Sequence, residues 1–556
     1  MSRALERIPI ILRRWLLPSL AVGLATGVVV ACIDFLIYRI LWIHVSRLAS
    51  NSMLLCMLMP AAGLCAAGFL ISASGEEEVR GAEEVVRSYH THIPMRGRRS
   101  IALHLLSTIP TIGFGGSAGL EGPSICAGGA IGSALPAKVK CIRLKREDRC
   151  TMMLAGAAAG IAAIFKAPLT GIVFALEVPF KNDLAHEALI PALVASVPSY
   201  MVFAKLAGAE PLFAFRRHEL LTVEVLVASA LLGAASGLLA VAFVKLYRLV
   251  RGLFRGRAPL PAKTLAGGLA CGALGALSTL LAGRPYALGS GYELIRASLA
   301  GELSTGQLAA MVLLKSATTV FTLGSGALGG VFIPMIAVGA ALGGALAELG
   351  GGPIDLYAAL GMASFLAAGY KTPLAAVAFV AETTGSSSYL IPCLVASSVS
   401  YLLSGGFSVS DEQRPHKEVR VAELAKLRVS DYMTTKVVCV PAEATIAEFI
   451  SKYLLKHRHR SFPVVKEGRL VGMVAVDDVV GVPEEEWRHR TVYEVATREV
   501  IVAYPDESLS DVLDVMEKYD IGRVPVVDPR DPGRIMGIIS KTDIVKAEAK
   551  LAGLSD

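Results

Sequence analysis

The sequence predicts a polytopic α-helical membrane protein with a small soluble α/β region at its C-terminal end. Three observations carry that expectation: long apolar stretches from Trp15 to about Gly406, an internal repeat within them, and a return of charge every few residues after about Ser410. Hydrophobic residues make up 54% of the 556, charged residues only 18%, and mean hydropathy is +0.57. A water-soluble surface of this size does not have that balance. The expected division is a membrane domain over 1–407, with halves at about 15–207 and 220–407, a linker over 408–428, and two soluble units over 429–484 and 488–550.

Each apolar stretch is judged against the bilayer. Leu17 to Ile43, Met53 to Ala73, Leu221 to Val244 and Leu265 to Ala282 are each long enough for a hydrocarbon core about 30 Å thick. The 54 glycines suit close helix contacts and broken helices. Arg3, Arg7, Arg13 and Arg14 against one acid, Glu6, place the N-terminus in the cytoplasm by the positive-inside bias, and the soluble tail is expected on the same side. The run from Trp15 outlasts a short leader h-region, so no cleaved signal is expected. Nine cysteines without a Cys-x-x-Cys spacing read as reduced packing residues. The net charge of +7 is spread out and argues against a nucleic-acid partner.

The repeat is visible within this one chain. At an offset of 211, His104 to Leu135 lies over Lys315 to Leu346 without a gap, pairing Thr108 with Thr319, Gly119 with Gly330 and Pro123 with Pro334. At 205, Lys166-Ala-Pro-Leu matches Lys371-Thr-Pro-Leu and Glu177 matches Glu382; at 201, Leu189-Ile-Pro-x-Leu-Val-Ala-Ser matches the same string from Leu390. Two related membrane halves are a transporter signature, with the substrate site at their interface among discontinuous helices. Hydropathy alone leaves open whether the halves are inverted.

The glycine-rich punctuation of the repeat carries the chemistry. Gly113-Phe-Gly-Gly-Ser-Ala-Gly-Leu-Glu121-Gly-Pro123 and Gly324-Ser-Gly-Ala-Leu-Gly-Gly330-Val-Phe-Ile-Pro334 both run into an apolar helix through a proline, a residue suited to a first turn. Free N–H groups at such helix starts, with the positive dipole end, form an anion site. Two starts facing each other would hold a small anion without a lysine that would bind it too tightly to release. Glu121 is an ionisable carboxylate in this apolar loop, which at bilayer depth costs at least about 2.5 kcal/mol unless it is paired or faces water. Its carboxylate can take the anion's place at a helix start, so protonation or displacement opens the site. His104 and Lys315 hold equivalent positions and either shape the pathway's potential or serve only structurally, snorkelling to the interface or bonding backbone carbonyls.

At these residues the chain resembles the CLC family of chloride channels and chloride/proton antiporters. Gly119-Leu-Glu-Gly-Pro123 resembles the family's gating motif and Gly329-Gly-Val-Phe-Ile-Pro334 its second anion motif. The resemblance covers about 15–410 and implies a homodimer with one pathway per subunit, two inverted halves of tilted and partial helices, Glu121 as gate, and an anion bound around Gly119, Leu120, Gly122, Gly330, Val331 and Phe332. Three departures stand out. The family's anion-binding serine falls near Val79-Arg80-Gly81, with Arg80 in its place; its inner tyrosine falls at Ser408-Val-Ser410, leaving Ser410 as the side-chain ligand; its inner proton-relay carboxylate falls at Val178, beside Glu177. Leu120 also stands where the family prefers a basic residue. Transport of chloride or a similar anion is the expectation, channel-like rather than proton-coupled, with a chloride/proton or fluoride/proton antiporter as the alternative.

The tail holds a second repeat. Ser461-Phe-Pro-Val-Val465 matches Arg523-Val-Pro-Val-Val527, and Gly472 to Asp478 matches Gly537 to Asp543. These units resemble a pair of CBS domains, in which a hydroxyl and an aspartate hold an adenosine ribose. Ser540 with Asp543 keeps both groups, while Asp478 follows Ala475. An adenine-nucleotide site and a purely structural pair both remain open, and no cofactor is required for transport. A divalent-cation transporter needs clustered oxygen ligands, and a membrane enzyme needs a nucleophile with its base, a metal set or a phosphate loop. Neither pattern is present in the sequence, so no catalytic residue and no metal site are expected.

Overall fold

The structure is a computed structural model that describes residues 15–75, 81–91, 95, 97–138, 146–213, 215, 222–415, 424–457 and 460–551. The chain divides into two compact units, Met1–His416 and Lys417–Asp556. Arg80, and the arginines of the first fourteen residues, lie outside the described residues.

The first unit is entirely helical apart from short loops. Its first half comprises α1 (Leu17–Asp34), which runs through a π-helical stretch at Phe35–Trp42 into α2 (Ile43–Asn51), then α3 (Met53–Ser72), α4 (Glu83–Thr91), α5 (Arg98–Gly113), α6 (Glu121–Lys138), α7 (Arg146–Phe165), α8 (Pro168–Glu177) and α9 (Leu189–Ala207). The second half comprises α10 (Val223–Leu253), α11 (Leu260–Ala282), α12 (Tyr292–Ala300), α13 (Thr305–Gly324), α14 (Phe332–Gly350), α15 (Ile354–Tyr370), α16 (Pro373–Thr384) and α17 (Leu390–Leu403). Eight helical segments among the described residues are long and apolar enough to cross a membrane. Others, such as α8 and α16, are too short to do so alone at 10 and 12 residues.

The sequence repeat becomes a repeat of contacts. Gly128 on α6 and Gly156 on α7 touch so closely that a Cβ on either would lie 1.9 Å from the other's carbonyl oxygen; their equivalents, Gly339 on α14 and Gly361 on α15, meet the same way at 2.2 and 2.0 Å. Only glycine allows backbones that near, which is how helices gain packing contact where lipid supplies no hydrophobic drive. Gly119 and Gly330 form an antiparallel bridge, each N–H donating to the other's carbonyl at 2.7 Å. Equivalent residues exchanging equivalent bonds place a local two-fold between the halves, with the chains running in opposite directions there. That is the inverted relation that hydropathy had left open.

Two glutamates repeat the symmetry. Glu177, ending α8, accepts from the N–H groups of Leu374 and Ala375 at the start of α16, at 3.0 and 2.7 Å. Glu382, on α16, accepts from Leu169 and Thr170 at the start of α8, at 2.9 and 2.7 Å. Each half thus caps the other's short helix, satisfying amide groups that have no intrahelical partner.

The second unit contains β1 (Val440–Pro441), β2 (Ser461–Lys466) and β3 (Arg469–Ala475) in one sheet, and β4 (Arg523–Asp528) and β5 (Asp531–Ser540) in another. The antiparallel pairs β2–β3 and β4–β5 share a register, with Val464 opposite Gly472 and Val526 opposite Gly537. Apolar side chains of each unit, Val464 and Val474 in one and Val526 and Ile539 in the other, are fully buried. The eight described cysteines are free thiols.

Candidate functional site

The loops before α6 and α14 meet at the Gly119–Gly330 bridge, which brings together residues 211 apart in the chain. Beside that bridge lies Glu121, the first residue of α6, completely buried. Its Oε1 accepts from the N–H of Phe332 at 2.6 Å and from the N–H of Ile333 at 3.3 Å. The carboxylate of one repeat therefore sits on the helix start of the other. Oε2 has no hydrogen-bond partner in the protein. A charge-assisted bond this short to a backbone amide is the strong kind, and the first-turn amides of α14 add its dipole.

Gly119 and Gly330 are the floor under that carboxylate. A Cβ on Gly119 would lie 1.9 Å from Oε2, and one on Gly330 would lie 2.2 Å from Oε1. Their N–H groups are spent on the bridge, so the amides that face the Glu121 carboxylate are those of Phe332 and Ile333, one residue beyond the Val331 and Phe332 pair that the resemblance implies. Nothing in the motif pointed to Ile333. Leu120 is buried, and its carbonyl accepts from Ser124. A Cβ on Gly122 would press on the backbone of Gly330 at 3.1 Å, so its bareness serves the approach of the two loops. The Phe332 ring packs against Phe165, Phe174 and Phe379, at centroid distances of 4.6, 5.5 and 5.5 Å, which holds the start of α14 in place.

A cavity of about 950 Å³ adjoins the site, with Gly329, Gly330, Val331, Tyr370 and Ser410 in its lining. Ser410 is buried and its Oγ has no partner in the protein, so a hydroxyl is free to donate to a ligand there. Arg251, Arg255, Arg257 and Lys263 also line it, a clustering of positive charge of the kind that attracts anions. Tyr370, which the sequence did not single out, touches the Phe332 and Phe174 rings and lines the same space. Val178 is buried at the end of α8, where its carbonyl accepts from Gln413.

Lys315 is completely buried on α13 and donates to the carbonyls of Ala287, Leu288 and Gly289, at 3.3, 3.4 and 2.6 Å. It is thus a carbonyl-bonded scaffold lysine. His104 is buried, with Nε2 3.4 Å from Ser74 Oγ. In the tail, Asp478 accepts from the N–H of Ala475 at 2.7 Å. Asp543 accepts from both the N–H and the Oγ of Ser540, at 3.0 and 2.6 Å. Both aspartates cap the helices they begin.

An inverted-repeat membrane fold with opposed helix starts at its centre, a carboxylate lodged on one of them and a basic cavity beside it defines a transport protein for small anions. The model of the voltage-gated chloride channel family matches residues 58–405 and that of the CBS domain matches 429–485 and 492–550. The chain belongs to that chloride channel family and carries a C-terminal CBS pair. Among curated proteins it is 29% identical over 339 residues to the H+/Cl− exchange transporter ClcA of Vibrio cholerae serotype O1, covering 59% of this chain and 69% of that one. It is 30% identical over 333 residues to ClcA of Citrobacter koseri, covering 58% and 68%. Among solved structures, a CLC-type fluoride/proton antiporter superposes with a TM-score of 0.63 at 28% identity, over 72% of this chain and 97% of that one. A eukaryotic CLC transporter shares the fold at 18% identity, with a TM-score of 0.66 over 96% and 98% of the two chains.

Proposed function

We propose that the chain moves chloride or a similar small anion across the plasma membrane as a homodimer with one pathway per subunit, and that Glu121 gates that pathway. The observation that carries this is the Glu121 carboxylate on the amides of Phe332 and Ile333. A resident anion at an anion site is a competitive plug: an incoming anion displaces it, or a proton discharges it. Phe332 and Ile333 then supply the backbone donors, Val331 and Gly330 shape the approach, and Ser410 offers its hydroxyl from the cavity side. Gly119 and Gly122 act by keeping the two loops in contact. Arg80 remains a candidate ligand from the sequence alone.

A second reading, proton-coupled exchange, is favoured by the relatives, which are named as proton/chloride and fluoride/proton exchangers. The loss of a carboxylate at Val178 weighs against it, and another carboxylate in the cavity weighs for it. The N-terminus and the CBS pair are assigned to the cytoplasm on the positive-inside bias. Ser540 and Asp543 are the candidate ribose ligands for an adenine nucleotide, Asp543 having only Oδ2 committed to its cap. The test is flux from liposomes holding the full chain, measured for chloride, fluoride and magnesium with a pH electrode alongside. Selective anion efflux is the expected result; magnesium efflux without anion efflux overturns the reading.

A further inference from the structure

We infer that Glu83 is the inner proton-transfer group of this transporter, in place of the carboxylate absent at Val178. The inference rests on the proton-coupled reading above. Glu83 begins α4 and lines the 950 Å³ cavity that Gly330 and Val331 also line, and Gly330 is in contact with the Glu121 carboxylate. The turn that carries it is packed on the same loop: a Cβ on Gly81 would lie 3.6 Å from the Leu328 side chain and 3.9 Å from the Gly329 carbonyl oxygen. Tyr370 lines the same cavity as Glu83 and packs its ring against Phe332, whose N–H donates to Glu121.

The charges around the cavity make Glu83 hard to explain by anion conduction alone. Among the described residues it is the one carboxylate lining this cavity, against Arg251, Arg255, Arg257 and Lys263. A negative charge in an anion vestibule repels the substrate, so a pathway for anions only would gain from its loss. The groups facing it are Arg251 and Tyr247 on α10, Asp411 and Glu412 on the segment after α17, and Tyr370 at the end of α15. Its Oε1 accepts the N–H of Asp411 at 3.3 Å, a long bond that fixes the side chain without burying its charge in a short pair. Arg251 itself is engaged by Asp411 at 3.2 Å.

The cavity has polar groups along its lining and is far larger than the roughly 30 Å³ share of one water, so it can carry a hydrogen-bonded chain from Glu83 to Gly330, against which the buried Glu121 carboxylate rests. In the step proposed, protonated Glu121 stands off the amides while an anion occupies Phe332 and Ile333; as it gives its proton to cavity water, its carboxylate returns to those amides and the anion leaves. That water passes a proton to the Glu83 carboxylate, and Glu83 releases one to the aqueous side. One proton enters and one leaves, with no change of oxidation state.

The test uses the full-length chain in liposomes under a chloride gradient, reading proton uptake with a pH electrode and chloride efflux with a silver electrode. In the parent protein, uphill proton movement is expected. In Glu83→Gln, chloride efflux is expected to persist at an equal or higher rate while proton movement falls on the order of 10²-fold, the scale of a positioned proton-transfer group. Glu83→Asp should restore part of the proton movement, because it returns a titrating carboxylate to the cavity. If the parent pumps protons and Glu83→Gln pumps them with the same ratio to chloride, Glu83 is a helix cap and the assignment fails while coupling stands. If the parent passes chloride with no uphill protons, coupling itself fails and the assignment with it.

Discussion

Replacing Glu121 by alanine removes the carboxylate that holds the anion site, and the change in anion affinity can be worked from its bonds. One oxygen accepts at 2.6 Å from Phe332 and at 3.3 Å from Ile333, while the other has no protein partner. A hydrogen bond to a charged group contributes about 1.5–3 kcal/mol, and only the shorter of these two counts at full strength. An anion that must displace the carboxylate forfeits the lower part of that range, because the displaced group regains water. At about 1.4 kcal/mol per factor of ten, Glu121→Ala should bind chloride about tenfold more tightly. Titration calorimetry of the purified chain measures this directly. The pH dependence has a definite sign: protonation discharges the competitor, so parent affinity rises as pH falls, and in Glu121→Ala or Glu121→Gln this slope vanishes while anion flux continues. Equal or weaker chloride binding in the alanine variant, or an unchanged pH slope, would refute the competitive-plug reasoning.

Gly330→Val would place its Cβ 2.2 Å from Glu121 Oε1, in the space the anion needs; flux should fall while size-exclusion chromatography still shows assembled subunits, and a protein that fails to assemble would make the glycine a packing residue only. Glu177→Ala and Glu382→Ala each leave two backbone amides of a helix start in the opposite half without their acceptor, and Glu382→Ala also loses the bond from the Thr170 hydroxyl. Each should lower stability by about 1–2 kcal/mol, read as a drop in Tm, and a marked inequality between them would contradict equivalent roles. Adenine nucleotides at concentrations well above Kd should raise the Tm of the full chain by mass action, an effect that Asp543→Ala abolishes; no shift in the parent would make the CBS pair structural.

The duplication made much of this legible beforehand. Composition and hydropathy were enough for the membrane class, since Leu17 to Ile43 or Met53 to Ala73 can be read as spans from length alone. The paired loops before Pro123 and Pro334 located the site because glycine runs that recur in register at an offset of 211 mark two loops sharing one task. Ile333 and Tyr370 stayed invisible for physical reasons. A backbone amide has no signature in the letter that bears it, and Tyr370 reaches the site only because α15 folds back beside Phe332. Lys315 shows the reverse failure: a charged residue at bilayer depth invites a pathway role, and only the carbonyls of Ala287, Leu288 and Gly289 reveal a scaffold role. Glu177 was legible as the repeat partner of Glu382, yet the bonds each makes to the other half required coordinates.

Symmetry and function part company at one pair of positions. Several scaffold contacts occur twice, as in Gly128 with Gly156 and Gly339 with Gly361, or in the reciprocal caps of Glu177 and Glu382. Residue 121 and its equivalent 332 break the rule, since one is a glutamate and the other a phenylalanine. With glutamate at both, two carboxylates would compete for amides from both sides and their repulsion would hold the loops apart. With phenylalanine at both, the helix starts would bind an anion with nothing to titrate or displace. On the gating proposed for Glu121, the asymmetric pair lets one repeat supply the donors and the other the plug, so a duplicated scaffold would acquire its gate at a single carboxylate.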